Sequence, residues 1–229
     1  LGAQGRAEEL VGRTTNSAFL VDEEGAVCGR YDKQLLFPYV EYVPFDKLVG
    51  GVGPTVQRAY RRIVRGSWGF LSNGTPGRTA THFALPWNGR SISFSVLISM
   101  ESSYPQLVAE ASRRGARFVV NLASEDEFGG VIQEQLLRVS MLRAVESGVG
   151  YVRASNAGIS AFIDPRGRLL SVRTGTVALR PFGPTVYASS HDAFALLCVA
   201  LSLWLLARAI LRGPATMTPH PVPAAATAT

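Results

Sequence analysis

The stretch that most restricts this chain is Ala193 to Leu211, about 19 residues with no acid, no lysine and one arginine, Arg208, near its end. Phe194, Leu196, Leu197, Val199, Leu201, Leu203, Leu205 and Leu206 each favour insertion into hydrocarbon by roughly 0.3–0.6 kcal/mol, together about 2–5 kcal/mol. Arg208 lies where a long side chain can snorkel to the interface. A buried helix of a soluble core is the competing reading. The expected organisation is a globular domain over 1–185, a membrane helix over 193–211 and a tail over 213–229. That tail is rich in Pro, Ala and Thr and is expected to be disordered. His191 and Asp192 flank one end of the run, Arg208 and Arg212 the other. The positive-inside bias then places the tail in the cytoplasm and the globular part outside. Leu1-Gly2-Ala3-Gln4 reads as the end of a strand rather than a charged leader. An upstream segment is therefore expected to carry the domain across the membrane.

Net charge is +6, nearly all of it from arginine, since Lys33 and Lys47 are the only lysines. Nucleic acid is one partner for a basic chain, an anionic membrane the other. No zinc-finger spacing, RNA-binding aromatic motif or recognition-helix pattern supports nucleic acid, and the apolar run supports a phospholipid membrane. Cys28 falls in a strand-like segment and Cys198 in the apolar run, so a disulfide between them is not expected. No metal-ligand spacing and no cofactor motif is present, and oligomeric state is not encoded legibly.

The rest of the chain alternates strand and helix signals, which indicates α/β layers. Asn16–Val21 and Ala26–Tyr31 flank the turn Asp22-Glu23-Glu24-Gly25, a hairpin signal. Pro54–Arg65 is helical in pattern, with Arg58, Arg61, Arg62 and Arg65 on one face. Those four arginines are expected to rest on lipid headgroups, against the ordinary reading of a solvated helix face. Ser67–Pro86 is rich in loop residues; His82–Leu85 and Ile92–Ile98 read as strands joined through Asn88-Gly89. Pro105–Arg114 is a helix stopped by Gly115, Phe118–Leu122 a buried strand, and Gln133–Gly148 a second amphipathic helix. Tyr151–Ala154 and Ser160–Asp164 are strands separated by Asn156-Ala157-Gly158, and Pro165–Arg168 is a turn. No internal repeat is found.

Certain residues in this framework bear chemistry. Tyr31-Asp32-Lys33 is followed by Glu41-Tyr42-Val43-Pro44-Phe45, by Ser95-Val96-Leu97-Ile98-Ser99-Met100-Glu101, and by Asn121, Phe128-Gly129 and Asn156-Ala157-Gly158-Ile159-Ser160-Ala161. Their order and spacing, over about residues 15 to 211, resemble the carbon–nitrogen hydrolase (nitrilase-type) domain of bacterial apolipoprotein N-acyltransferases. The resemblance implies an α-β-β-α sandwich, incomplete at its N-terminus, plus one C-terminal transmembrane helix. Such a site uses a carboxylate base, a lysine that stabilises the oxyanion and a cysteine nucleophile. By motif, Lys33 takes the lysine role, Glu41 that of a second glutamate, and Ser99 the cysteine position. Met100, Glu101, Arg153 and Asn156 border the site in the same pattern.

Three departures accompany the resemblance. Ser99-Met100-Glu101 stands where the family has Cys-Tyr-Glu, and a serine hydroxyl is far less acidic than a thiol. His82 and His191 are isolated, so no Ser-His-Asp arrangement substitutes. The family's base glutamate precedes the lysine by more chain than is present here, and Glu8 and Glu9 are poor substitutes. Glu127 replaces a tryptophan in the segment Ser124–Gly129, and Leu136 stands where the family has histidine. Three functions remain open on these residues. They are an N-acyltransferase-type protein of lipoprotein maturation, inactive or a fragment as written and forming no stable acyl-enzyme, a membrane-tethered lipid- or lipoprotein-binding module, and an amidase of the nitrilase superfamily. The first two place the protein at a bacterial inner membrane, facing the periplasm, with a lipoprotein N-terminus as partner.

Overall fold

The computed structural model describes residues 2–6, 14–38, 40–42, 74–126, 129–171 and 183–212, with shorter pieces among 55–63 and 175–179. By contacts it divides into a unit over Leu1–His191 and a second over Asp192–Thr229.

The first unit contains two sheets. Strands β1 (Gly2–Arg6), β2 (Thr14–Val21) and β3 (Val27–Asp32) form an antiparallel sheet in that order. The larger sheet orders β4 (His82–Trp87), β5 (Arg90–Ile98), β6 (Phe118–Ala123), β7 (Gly150–Ser155), β8 (Ala161–Ile163) and β9 (Leu169–Ser171). Its centre, β5-β6-β7, is parallel, and antiparallel strands close both sides. The parallel crossovers are made by helices α1 (Pro105–Arg113) and α2 (Gly130–Ser147).

Burial explains the layering. Val96, Leu97 and Ile98 are consecutive and all nearly inaccessible, as expected of a parallel strand covered on both faces. Leu97 joins Val108, Val119, Leu137, Ala144 and Tyr151 in a core beneath the helices. Phe94, Val96 and Ile98 join Ala18, Tyr31, Phe83 and Phe118 in a second core between the sheets. Phe83, Phe94 and Phe118 stack in series, with centroids 5.4 and 5.0 Å apart. Helix, sheet and sheet are thus three layers of the expected sandwich.

The hairpin expected at Asn88-Gly89 forms, both residues lying at positive φ as a tight strand-to-strand turn requires. Helix α2 begins at Gly130 rather than Gln133, and β9 and the short helix α3 (Val186–Ser190) arise where no element was expected. Helix α3 has weak local pattern; Thr185 caps it by accepting a hydrogen bond from the Ala188 N–H. The first unit consequently runs to His191 rather than to 185. Leu136 is buried in α2. Residues 55–56, 58–60 and 62–63 are helical, and Arg58 and Arg62 are exposed. Arg61, Arg65, Glu8, Glu9, Lys47, Glu127 and the 213–229 tail lie outside the described residues.

The second unit contains α4 (Ala193–Arg212). It is the one helix among the described residues long and apolar enough to cross a membrane, over Ala193–Leu211. Arg208 lies over the Trp204 ring, 5.3 Å from its centroid. Cys28 and Cys198 are both free and exposed.

Candidate active site

The carboxyl ends of the parallel strands are where an α/β sheet collects ligand-binding residues. Ser99 follows β5, Glu125 follows β6 and Asn156 follows β7. Ser99 turns the chain from strand into a 3-10 turn over Ser99–Ser103 with φ at 56°, a left-handed conformation that costs a non-glycine residue about 1–2 kcal/mol. Such strain persists only where surrounding structure holds it. The turn presents the Ser99 side chain, partly exposed, at the top of the sheet. Among the described residues its hydroxyl has no hydrogen-bond partner. Met100 follows in the same turn, also partly exposed.

Two devices hold the elbow. The first is Glu101, fully buried. Its carboxylate accepts hydrogen bonds from the N–H groups of Ile98 at 2.8 Å, Gln34 at 2.6 Å and Leu35 at 3.1 Å. The Tyr31 hydroxyl donates to the same group at 2.9 and 3.0 Å. One side chain therefore ties the residue before Ser99 to the residue after Lys33. Burial pushes the Glu101 carboxyl above the usual carboxylate range, against the pull of these donors. Burial and the adjacent Glu101 charge push the Tyr31 phenol far up, so it stays a donor.

The second device runs from below. Asn121, fully buried on β6, donates its side-chain amide to the carbonyls of Ser99 at 3.2 Å and Leu97 at 3.4 Å. Its own oxygen accepts from Arg153 at 3.0 Å, and Arg153 also donates to the Ile159 carbonyl at 3.1 Å. Arg153 pairs with Glu125, both almost wholly buried. Glu125 further accepts from the Ser155 hydroxyl at 3.2 Å, and that hydroxyl accepts from the Gly158 N–H at 3.2 Å. A side chain at 158 would land on the Glu125 carboxylate, so glycine is required there by close approach. Asn156 is exposed; its N–H donates to the Ala123 carbonyl and its side-chain oxygen accepts from Ser124 at 3.3 Å.

Lys33 leaves β3 and is 2 % exposed. Its ammonium pairs with Glu41 at 2.6 Å, and Glu41 also accepts from the Phe37 N–H at 2.7 Å and from Asn16 at 3.4 Å. The Lys33 backbone is held on both sides: its N–H donates to the Asn16 carbonyl and its carbonyl accepts from the Gly77 N–H, each at 2.8 Å. Gly77 passes so close to the Asp32 carbonyl that no Cβ fits. Among the described residues no cluster of His, Cys, Asp and Glu suits a metal.

Lys33, Glu41, Glu101 and Arg153 were readable by motif. Asn121 and Glu125 were not identified as site residues. A polar residue inside an otherwise apolar buried strand was the available signal for Asn121. For Glu125 there was none, because an acid in Ser124-Glu125-Asp126 reads as a solvated loop until Arg153 is brought beneath it.

Two stacked sheets that carry a strained strand-to-turn elbow, a paired lysine and a buried carboxylate form a nitrilase-type α/β fold. Comparison with known proteins gives the same class. Residues 4–178 match the family model described as carbon-nitrogen hydrolase. The chain belongs to the carbon–nitrogen hydrolase family. It is 33% identical over 204 residues to an apolipoprotein N-acyltransferase of Bradyrhizobium diazoefficiens, covering 86% of this chain and 35% of that protein. It is 31% identical over 173 residues to one from a Nostoc species, covering 76% and 31%. One from Geobacter metallireducens is 34% identical over 194 residues, covering 81% and 34%. The chain thus spans about a third of the length of these relatives. Among solved structures, a Nesterenkonia AN1 amidase of the nitrilase superfamily, in a cysteine-to-serine variant, shares the fold with a TM-score of 0.51 and 23% identity. That match covers 85% of this chain and 64% of the amidase.

Proposed function

We propose that this chain is the carbon–nitrogen hydrolase module of an apolipoprotein N-acyltransferase-type protein of lipoprotein maturation. It binds the acyl group of a phospholipid, but with Ser99 in the nucleophile position it forms no stable acyl-enzyme. The observation that carries this reading is the elbow at Ser99, held by Glu101 to the loop bearing Lys33. The relatives' name, apolipoprotein N-acyltransferase, supports an apolipoprotein amine as acceptor, and a phospholipid as acyl donor is what the resemblance implies.

The chemistry of inactivity follows from the pairing. A serine needs a base, and Lys33, bonded to Glu41 at 2.6 Å, is an ammonium that has no lone pair to accept a proton. It remains suited to polarising a carbonyl or holding an oxyanion. The amidase reading has less support, since the solved amidase is similar in fold alone.

Topologically, Ala193–Leu211 anchors the protein in a bacterial inner membrane, with the globular unit in the periplasm and the 213–229 tail in the cytoplasm. Arg58, Arg61, Arg62 and Arg65 contribute about 1 kcal/mol each near an anionic surface. Reversing all four charges should lower binding of the protein to phosphatidylglycerol vesicles; unchanged binding rules the patch out.

The decisive experiment incubates the full chain with a labelled phospholipid or an activated acyl ester and reads covalent mass. The expected result is saturable non-covalent binding and no adduct. A stoichiometric adduct that disappears in Ser99→Ala would refute the inactive reading. Absence of any lipid binding would refute the module altogether.

A further inference from the structure

A cavity of about 280 Å³ lies beside β5, with neither Ser99 nor Lys33 in its lining. Its walls come from α1, from residues 78–81 and from Tyr31 and Gln34 beside β3. The wall is rich in hydrogen-bond donors. Arg78 and Arg114 both line it, together with Thr79 and Thr81. Among the described residues Arg78 has no ion pair, and neither threonine hydroxyl has a partner. Among the described residues Arg114 uses Nε, on Glu110 at 2.5 Å, and its two terminal nitrogens have no partner. Glu110 is the one acid of the lining, and its two oxygens are taken by Arg113 and Arg114.

We propose that this cavity is an anion site that takes a phosphate group. The two guanidinium groups of the lining supply bidentate donors, and its two threonine hydroxyls add contacts, to a tetrahedral anion with three or more acceptor oxygens. The remaining floor, Val96, Leu97, Leu107 and Ala111, is apolar and accommodates a short carbon substituent such as that of a phosphate monoester. Gln34 also lines the cavity and donates to the Tyr31 hydroxyl at 3.3 Å, which in turn donates to Glu101. Two lining residues, Tyr31 and Gln34, therefore donate directly to the carboxylate that ties the Lys33 loop to the Ser99 elbow. The inference goes beyond the acyl-transfer reading, because Arg78, Arg114, Thr79 and Thr81 take no part in the arrangement around Ser99 and Lys33.

His82 provides the reporter. Its Nδ1 lies 3.3 Å from the hydroxyl of Ser95, a cavity residue, and its Nε2 is shielded with no partner among the described residues. Burial and the Arg114 charge lower its basicity, and Glu110 opposes this. An anion on Arg114 should raise it again. The chain has three histidines, so ring resonances of the full protein in non-ionic micelles are readily assigned.

The test titrates inorganic phosphate and, separately, glycerol 3-phosphate at constant ionic strength, following the His82 ring by NMR. The expected result is a saturable shift at His82, absent at His191, with its titration midpoint moved to higher pH. In Arg78→Gln and in Arg78→Gln/Arg114→Gln the half-saturating concentration should rise at least tenfold. Arg78 is exposed and Arg114 half-exposed, so neither substitution removes a buried support. Tighter binding of glycerol 3-phosphate identifies a lipid headgroup as the source; equal or weaker binding identifies free phosphate. No saturable shift, an equal response to chloride, or unchanged binding in both variants overturns the proposal.

Discussion

Replacing Glu101 by glutamine tests the clamp that aligns the two halves of the site. One carboxylate oxygen accepts from Gln34 N, Leu35 N and Tyr31 Oη, the other from Ile98 N and Tyr31 Oη. Glutamine keeps one acceptor oxygen, best placed toward Gln34 and Leu35, and turns an NH2 group against the Ile98 N–H. One buried backbone donor then goes unpaired, at a cost of about 1–3 kcal/mol. Glu101→Ala strips three backbone donors and a phenol at once, for a loss comparable to the roughly 5–15 kcal/mol that holds a whole domain together. The glutamine deficit should also depend on pH. Burial raises the Glu101 pKa in the native state, so between the unfolded and native values the native state binds more protons. Its contribution to stability is therefore full below the ordinary glutamate pKa and is lost as pH rises through the raised native value. The wild-type urea midpoint, followed by near-UV circular dichroism of the full chain in non-ionic micelles, should carry that fall, and Glu101→Gln should lack it. The deficit is then largest in acid and shrinks on the alkaline side. A deficit that is constant with pH, or that grows as pH rises, refutes the reasoning.

Arg153→Met leaves Glu125 charged, buried and unpaired, and should cost about 3–5 kcal/mol, read as a lower urea midpoint. Converting both partners to apolar residues should recover much of it, and a double variant as poor as the single would argue against the pairing. Ser99→Gly relieves a left-handed residue by about 1–2 kcal/mol and pays back about 0.5–1 kcal/mol in unfolded-chain entropy. Its melting temperature should stay level or rise slightly; a clear loss would show that the Ser99 side chain supports the turn.

Short-range pattern was enough for much of this protein. Period and punctuation placed β2, β3, β5, β6, β7, α1 and α2 within a few residues, because their apolar faces and turn residues are local properties of the chain. The 19-residue span is equally local, since length and composition alone make a helix able to cross a bilayer. Lys33, Glu41, Ser99 and Glu101 were legible through their motifs. The pairing of Lys33 with Glu41 and the convergence of Gln34 and Ile98 on Glu101 were not. Lys33 and Glu41 meet because the segment after β3 folds back over eight residues, and Gln34 reaches Glu101 across 67 positions because two sheets pack. The same holds for Glu125. In sequence it is one of several acids in a loop; in the fold it is the buried counter-charge of Arg153, because the carboxyl ends of β6 and β7 lie side by side in a parallel sheet. Residue types and spacing determined which chemistry the chain carries, since propensity and polarity act within a few residues. Burial and charge pairing were decided by tertiary structure, which alone removes water from a carboxylate and chooses the partner that replaces it.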